Sequence, residues 1–388
     1  MLTKVIVENF RSFKNKTVFD LSSTKYQILS NSNVNNNVLK GALIIGPNAT
    51  GKSTLLIAVK TLLDMLFADN FTIDVSDSCL FCQKNNIHLE YHFKFDDDEI
   101  IYLFISDKKG EIIDETLTIN NKLILERKSL DGIIYQDNSK KQINNTLFSE
   151  KGLLLKKCYF SDIFAGDKTI KTFMEYLRNS IYVNAYHKKA TSYNNVSHII
   201  EYIENEDFSY INKVFKDLNI GFSISREKEQ RISNFVDEKG NRMGYAIKGD
   251  KPIIFFKRND MELNLPLSFE SLGNQTLVNI MPSLIYACEH DCLIIIDEFS
   301  SSLHNDLEEV LIKYLLTKSN KSQVIFTSHS TNLLTTKLLR PDQIYTIIFK
   351  PNEGSFISRF SDENPREAQN LEKMYLSGKF GALPNYKL

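Results

Sequence analysis

The sequence predicts an α/β fold with a mixed central sheet, an antiparallel β-meander lobe and a helical insertion. Three observations predict it. The apolar run from Leu39 to Ile45 leads into a glycine-rich turn at Gly46, and Ser53 to Phe67 then carries apolar residues at helical spacing without an internal Gly or Pro. Short runs of period-two alternation follow between Ile87 and Tyr135. The final third alternates strand-like and helix-like segments in the manner of a parallel sheet.

In chain order, Val5 to Phe10 and Val18 to Leu21 have strand character, and the Asn/Ser-rich run from Ser30 to Asn37 reads as a loop between two strands. In the meander, Ile87, Leu89, Tyr91, Phe93 and Phe95 alternate with His88, Glu90, His92 and Lys94, the pattern of a strand with one buried face. Ile100 to Ile105, Thr116 to Ile119, Leu123 to Leu125 and Ile133 to Tyr135 repeat it, split by turn formers such as Asp96-Asp97-Asp98. Asn145 to Leu218 turns mainly helical, with Phe173, Tyr176 and Leu177 on one face and Ile199, Ile200, Tyr202 and Ile203 continuing the apolar pattern. Strands return from Ile220 to Leu265. The expected division is 1–137 for the first half of the core with the β lobe, 138–218 for the helical insertion, 219–349 for the second half and 350–388 for a C-terminal tail.

The 388 residues, 42% hydrophobic and 24% charged, have ordinary globular composition and room for one elaborated domain or two. With 47 basic against 48 acidic residues, nothing in the global balance draws the chain to nucleic acid or to an anionic membrane. The longest apolar runs, such as Leu293 to Ile296, fall far short of the roughly 18 to 20 residues that cross a bilayer. Met1 to Phe10 is broken by Lys4 and Glu8, unlike a signal peptide. A cytoplasmic protein without a membrane partner is expected. Five cysteines, odd in number and sparse, form no disulfide framework. Cys79 and Cys82 with His88 and His92 make a poor zinc set, because on one strand the two histidines lie about 13 Å apart at about 3.3 Å per residue.

Gly46-Pro47-Asn48-Ala49-Thr50-Gly51-Lys52-Ser53 fits G-x-x-x-x-G-K-[ST], with the strand before and the helix after that the motif requires. Its glycines let the loop curl so that backbone N–H groups face phosphate oxygens, and the helix N-terminus adds a favourable dipole. The binding loop is expected to run from Gly46 to Thr54, with Lys52 reaching the β- and γ-phosphates of ATP and Ser53 coordinating Mg²⁺. Cys292 to Ile296 is an apolar strand ending in Asp297-Glu298. Asp297 is expected to hold the Mg²⁺ shell and Glu298 to orient and deprotonate the attacking water. A strand ending in two acids is common by itself and gains weight from sharing a chain with the phosphate loop.

Ser271-Leu272-Gly273 opens an apolar helix, Leu277 to Cys288, just before that strand. A small polar residue and a glycine at a helix start make an anion site. The chain already has one in its phosphate loop, so the second is best explained by completing the ATP site of another subunit. Gln323 to Thr327 ends at Ser328-His329-Ser330, which places His329 to sense the γ-phosphate. Each piece alone is a generic helix cap or a surface histidine. Their order along the chain gives them meaning.

With these residues in place, the sequence resembles the SMC-like and OLD-like branch of ABC-type phosphate-loop ATPases, in particular the stand-alone ATPases of bacterial anti-phage and abortive-infection systems. Val7-Glu8-Asn9-Phe10-Arg11-Ser12-Phe13 looks like that branch's first strand and turn, which implies that Arg11 contacts nucleotide phosphates. Glu270-Ser271-x-Gly273 looks like its divergent signature, and Asp297-Glu298-x-x-Ser301-Ser302-Leu303-His304 resembles its Walker B segment and D-loop. The stretch from Tyr375 to Pro384 looks like a family ending. The chain also departs from the pattern. The second glycine of an ordinary signature is replaced around Leu272, Asn274 stands where many members carry Thr or Gln, and no Q-loop glutamine can be placed. Asn145 to Leu218 is too short for an SMC coiled coil.

The resemblance implies an ABC-type head that hydrolyses ATP with Mg²⁺, forms a homodimer or higher homo-oligomer around the nucleotide, and serves as the sensor or regulatory subunit of a defence complex. Its effector would be a separately encoded nuclease or toxin, since residues 330–388 leave no room for a nuclease in cis, and nucleic acid or a phage protein would be a further partner. Rival expectations are a DNA-repair clamp using Lys188-Lys189 or Lys257-Arg258, and a transporter subunit.

Overall fold

Gly41–Ile45, Leu293–Asp297 and Gln323–Thr327 are buried along their whole length, as apolar strands are when both faces of a parallel sheet are covered. In the computed structural model, which describes residues 1–136, 139–143, 149–194, 208–227, 235–236, 242–243, 253–258 and 264–381, they form the middle of a seven-stranded sheet. Its order is Lys189–Ser192, Ile181–Asn184, Leu293–Asp297, Gln323–Thr327, Gly41–Ile45, Ile344–Lys350 and Gly354–Arg359. Neighbours from Ile181–Asn184 to Ile344–Lys350 run parallel, and the two outermost pairs are antiparallel. This is the mixed sheet that the sequence predicts. Its parallel strands bring the turns after Ile45, Asn184, Asp297 and Thr327 to one edge, where ligands of such sheets bind.

The expected meander is an eight-stranded antiparallel sheet. It runs in the order Ser139–Ile143, Asp131–Gln136, Lys122–Lys128, Ile112–Ile119, Asp98–Ser106, Ile87–Phe95, Leu2–Glu8, Thr17–Asp20. The helix Lys52–Phe67 lies between the two sheets, and 11 of its 16 residues are buried because it is covered on both sides. Leu55, Val59 and Leu62 share one core with Leu89, Tyr91 and Phe93 of the β lobe and with Ala42, Ile44 and Ile325 of the central sheet. The Tyr91 hydroxyl also donates to Ala58 O at 2.6 Å. Helices Leu272–Glu289 and Asn305–Lys318 cover the opposite face of the central sheet in a second core. Lys40 donates to Leu316 O and Ser319 O, each at 2.6 Å, which satisfies carbonyls at the end of the second of these helices.

The stretch 138–218, expected as a helical insertion, is only in part helical. Leu154–Phe160 and Lys168–Arg178 are helices whose apolar faces join the first core, with Phe173 meeting Phe93 at 5.0 Å and Tyr176 meeting Phe95 at 5.3 Å. Buried Glu115 accepts from the Leu154 and Leu155 N–H groups at 2.7 and 2.8 Å and so ties the helix start to the β lobe. Ile181–Asn184 is then a strand of the central sheet, paired parallel with Leu293–Asp297. Four residues are too few to display a period, so the strand is hidden inside a helical pattern. Ile199, Ile200, Tyr202 and Ile203 lie outside the described residues, as do 137 and 138 at the first expected boundary. Ser30–Asn37, expected as loop, holds the helical turn Ser30–Asn33 and the short strand Val34–Asn35, which pairs with Val38–Leu39 just beyond it. Among the described residues no helix is long and apolar enough to cross a membrane.

Candidate functional site

The turn between Gly41–Ile45 and the helix Lys52–Phe67 is held by left-handed backbone at Ala49 (φ 61°) and Gly51 (φ 108°). Gly51 has a second reason to be glycine. A Cβ there would lie 2.6 Å from the Ser12 hydroxyl and 2.5 Å from the Ser355 hydroxyl. Those two hydroxyls form a shelf under the loop, with Ser355 Oγ donating to Thr50 O at 2.6 Å and accepting from the Ser12 hydroxyl at 2.8 Å. Thr50 Oγ1 in turn donates to Pro47 O at 3.0 Å. Ser12 belongs to the Val7–Phe13 turn without a role assigned to it, and no motif in the sequence points to Ser355.

Lys52 is buried and curls back into its own loop, donating to Gly46 O at 2.9 Å and to Pro47 O at 2.8 Å. Burial lowers its pKa, while Glu298 and Asp297 pull it back up. Ser53 Oγ donates to Asp297 Oδ1 at 3.1 Å, and Thr327 Oγ1 donates to the same oxygen at 2.7 Å. Thr327 Oγ1 also accepts the Glu298 N–H at 2.8 Å, which locks the end of the acidic strand to its neighbour. Glu298 is itself left-handed (φ 57°), a conformation that costs about 1–3 kcal/mol in a non-glycine residue and occurs where a side chain must be aimed. Its carboxylate Oε2 lies 3.5 Å from His329 Nε2. His329 is held through its own N–H, which donates to Ser300 Oγ at 3.0 Å.

Lys52, Ser53, Asp297, Glu298 and His329 all line one cavity of about 700 Å³, with Asn48, Ala49, Gly51 and Thr54 along its loop side. Gly46, Pro47 and Thr50 frame the loop without lining the cavity. Four lining residues carry no role in the sequence-based expectation: Ser12, Asn184, Tyr186 and His187. Asn184 stands in register beside Asp297, and its Oδ1 accepts the His187 N–H at 2.8 Å. A signal for Asn184 exists, since Ile181-Tyr182-Val183-Asn184 is another apolar strand with a polar stop.

Arg11, placed on nucleotide phosphates by resemblance, does not line the cavity. It is left-handed (φ 48°), and its guanidinium donates to Asp77 Oδ1 from Nε at 3.0 Å and from Nη2 at 2.8 Å. Its neighbour Ser12 lines the cavity instead. Ser271 and Gly273 also lie away from the cavity walls. Ser271 caps the helix Leu272–Glu289, its Oγ accepting from Asn274 N at 3.3 Å. Asn274 donates to Glu270 Oε2 at 2.9 Å, which gives the departure from the usual signature a local bonding role. A Cβ at Gly273 would come within 2.4 Å of Ser302 O, so the signature-like and D-loop-like turns touch within one chain. Phe269 and Leu272 flank Ser271 and are 71% and 62% exposed.

His88 and His92 both reach Glu90, at 3.1 and 2.6 Å, and hold its carboxyl well below the usual range. A Mg²⁺ ion fits elsewhere: Ser53 Oγ and Asp297 Oδ1 are hard oxygen donors 3.1 Å apart, close to the roughly 2.9 Å edge of an octahedral shell with Mg–O distances of about 2.0–2.1 Å.

Fold and site together define an ATPase head of the ABC type, with its phosphate loop separated by one strand from the strand that ends in Asp297-Glu298. Residues 42–335 match the family described as "AAA domain, putative AbiEii toxin, Type IV TA system", and the chain belongs to that family. No curated protein matches it. Among solved structures it is similar to an SMC head bound to the C-winged helix domain of ScpA (13% identity, TM-score 0.49, 92% of this chain and 96% of that one). It is also similar to the SMC head domain from Thermotoga maritima (16% identity, TM-score 0.46, 92% and 98%). A third is an SMC head with an extended coiled coil, bound to the C-terminal domain of ScpA derived from Pyrococcus furiosus (13% identity, TM-score 0.49, 97% and 98%).

Proposed function

We propose that this chain binds ATP and Mg²⁺ along the 46–54 loop, hydrolyses ATP with Glu298, and dimerises around the nucleotide as the sensor and regulatory subunit of an anti-phage complex with a separate effector. The observation that carries the hydrolytic part is the meeting of Lys52, Ser53, Asp297, Glu298 and His329 on one cavity. Lys52 would exchange its two carbonyl partners for β- and γ-phosphate oxygens, a stronger charge-assisted pairing. Mg²⁺, held by Ser53 and Asp297, would supply charge neutralisation at those oxygens. Glu298 would take the proton of the attacking water, and His329 would hold that carboxylate in place and register the γ-phosphate. Asn184, beside Asp297, is suited to orient a water at the same edge. For Arg11 to reach a phosphate it would have to leave Asp77.

Ser271 and Gly273 stand outside the chain's own cavity beside the exposed apolar side chains of Phe269 and Leu272, which supports their use by a second copy. The family description, with its putative AbiEii toxin and Type IV TA system, supports the defence setting. The DNA-clamp alternative draws less support, because Lys188 already donates to Gln275 at 2.8 Å and Arg258 lies 3.6 Å from Glu270.

Mixing two inactive proteins tests the composite site. Ser271→Arg and Lys52→Ala, each without turnover alone, should together regain activity at the site that takes its loop from the first and its signature from the second. Glu298→Gln should gain mass with Mg²⁺-ATP. Absence of complementation, with both proteins folded and shown to mix, would leave a monomeric enzyme in which Ser271 is only a helix cap. The defence role is tested by phage challenge of cells carrying the gene and its neighbours. Protection that survives Lys52→Ala would end it.

A further inference from the structure

Behind the loop that carries His329, the helix Asn305–Lys318 places a carboxyl group that none of the chemistry above uses. Glu308 is fully buried. Its Oε1 accepts the Ser330 hydroxyl at 2.9 Å. Its other oxygen, Oε2, is buried without a hydrogen-bond partner among the described residues. An ionisable group left half-satisfied in a core is costly, and burial pushes Glu308 up to about 7 against the pull of the Ser330 bond. An apolar residue would pack there at less cost. What Glu308 touches explains its presence: Ser330, which with Ser328 brackets His329.

Those serines determine where the His329 backbone lies. Ser330 N–H donates to Ser328 Oγ at 2.9 Å, closing a tight turn around His329, and Ser328 N–H donates to Ile44 O at the end of the phosphate-loop strand. From the turn, His329 reaches Glu298 at 3.5 Å. Past Ser330 the chain is anchored independently, by Thr331 donating to Glu372 at 2.6 Å and Asn332 donating to Asn305 O at 3.1 Å. Loss of the Glu308 contact would therefore loosen the turn without releasing the segment.

We propose that Glu308 is a positioning residue for hydrolysis, clamping Ser330 from the core so that the Ser328–Ser330 turn fixes His329 against Glu298. The proposal rests on the reading above in which His329 acts with Glu298. It is tested by turnover and calorimetry on Glu308→Ala, Glu308→Gln, His329→Ala and the double variant Glu308→Ala/His329→Ala. Glu308→Ala should lower kcat by about 10²-fold, the loss typical of a group displaced by about 1 Å, and leave ATP affinity unchanged. Glu308→Gln should retain most of the turnover, since its amide oxygen can accept the Ser330 hydroxyl. The double variant should be no slower than His329→Ala, because both changes remove one function. Wild-type kcat in Glu308→Ala, or losses that multiply in the double variant, would overturn the clamp. A slow Glu308→Ala beside a wild-type His329→Ala would remove His329 from the reaction and the clamp with it. If Glu308→Ala does not fold, Ser330→Ala breaks the same contact from the loop side, and the same outcomes apply to it.

Discussion

Replacing Gly273 by alanine probes the contact between the signature-like turn and the D-loop-like turn in one chain. Gly273 is the second residue of the helix Leu272–Glu289, and helical backbone alone favours alanine over glycine by up to about 1 kcal/mol. Sterics oppose it. The new Cβ would stand 2.4 Å from Ser302 O, where ordinary contact begins near 3.4 Å, so the two turns must part by about 1 Å. Ser302 has little room to adapt, being already left-handed at φ 68°, and its neighbour Ser301 donates to Glu298 O at 2.9 Å. Retreat of Ser302 is therefore passed to the residue that we assign as base.

A displacement of about 1 Å at a reacting group costs about 10²-fold in rate. The expected result is turnover reduced by that factor, with ATP affinity unchanged because the Lys52 loop is untouched. The melting temperature should move little, since the helical gain offsets part of the clash. Phosphate release, calorimetry and thermal melts on one preparation measure all three. Gly166→Ala, whose Cβ would meet nothing within 4 Å, is the control. Wild-type turnover in a folded Gly273→Ala protein would show that the two turns need not keep register during the reaction, and would refute the argument from close approach.

Two further outcomes follow from buried ionisable groups. Lys52→Ala should weaken ATP binding by about 10²-fold or more in calorimetry, since a hydrogen bond to a charged group contributes about 1.5–3 kcal/mol and Lys52 is expected to make more than one; unchanged affinity would sink the phosphate-loop assignment. Glu308 is raised to about 7 from an ordinary 4.5, so the folded state holds its proton more tightly than the unfolded one. That stabilisation is complete below about pH 4.5 and lost as the pH rises through about 7. Glu308→Gln carries no such loss, so its stability relative to wild type should rise by about 3 kcal/mol between about pH 4.5 and 8 in urea titrations. A difference that stays constant with pH would mean that the Glu308 carboxyl is not desolvated.

What the sequence discloses is what a single segment can encode. The phosphate loop, the Asp297-Glu298 strand end and the Gln323–Thr327 strand with its histidine each combine an apolar run with a polar stop, so each is visible as a segment, and their order along the chain gives them the meaning that the sheet makes spatial. The β lobe is legible because one solvated face imposes alternation on strands such as Ile87–Phe95. Asn184 obeys the same apolar-then-polar rule, yet its strand is four residues long and follows a helix, so local period cannot separate it from that helix. Ser12 and Ser355 support Gly51 across nearly the whole chain with nothing but two hydroxyls, and no local pattern marks such a pair. Arg11 shows the limit of resemblance in the opposite direction: the motif places the residue, but an acid in a separate capping turn, Asp77, determines where the guanidinium points. Glu308 combines both limits. On the sequence it is one more acid in the first turn of a helix, where carboxylates ordinarily favour the dipole from an exposed position. Burial behind the Ser328–Ser330 turn alone turns it into a group whose charge has a cost, and that cost is what makes its role testable.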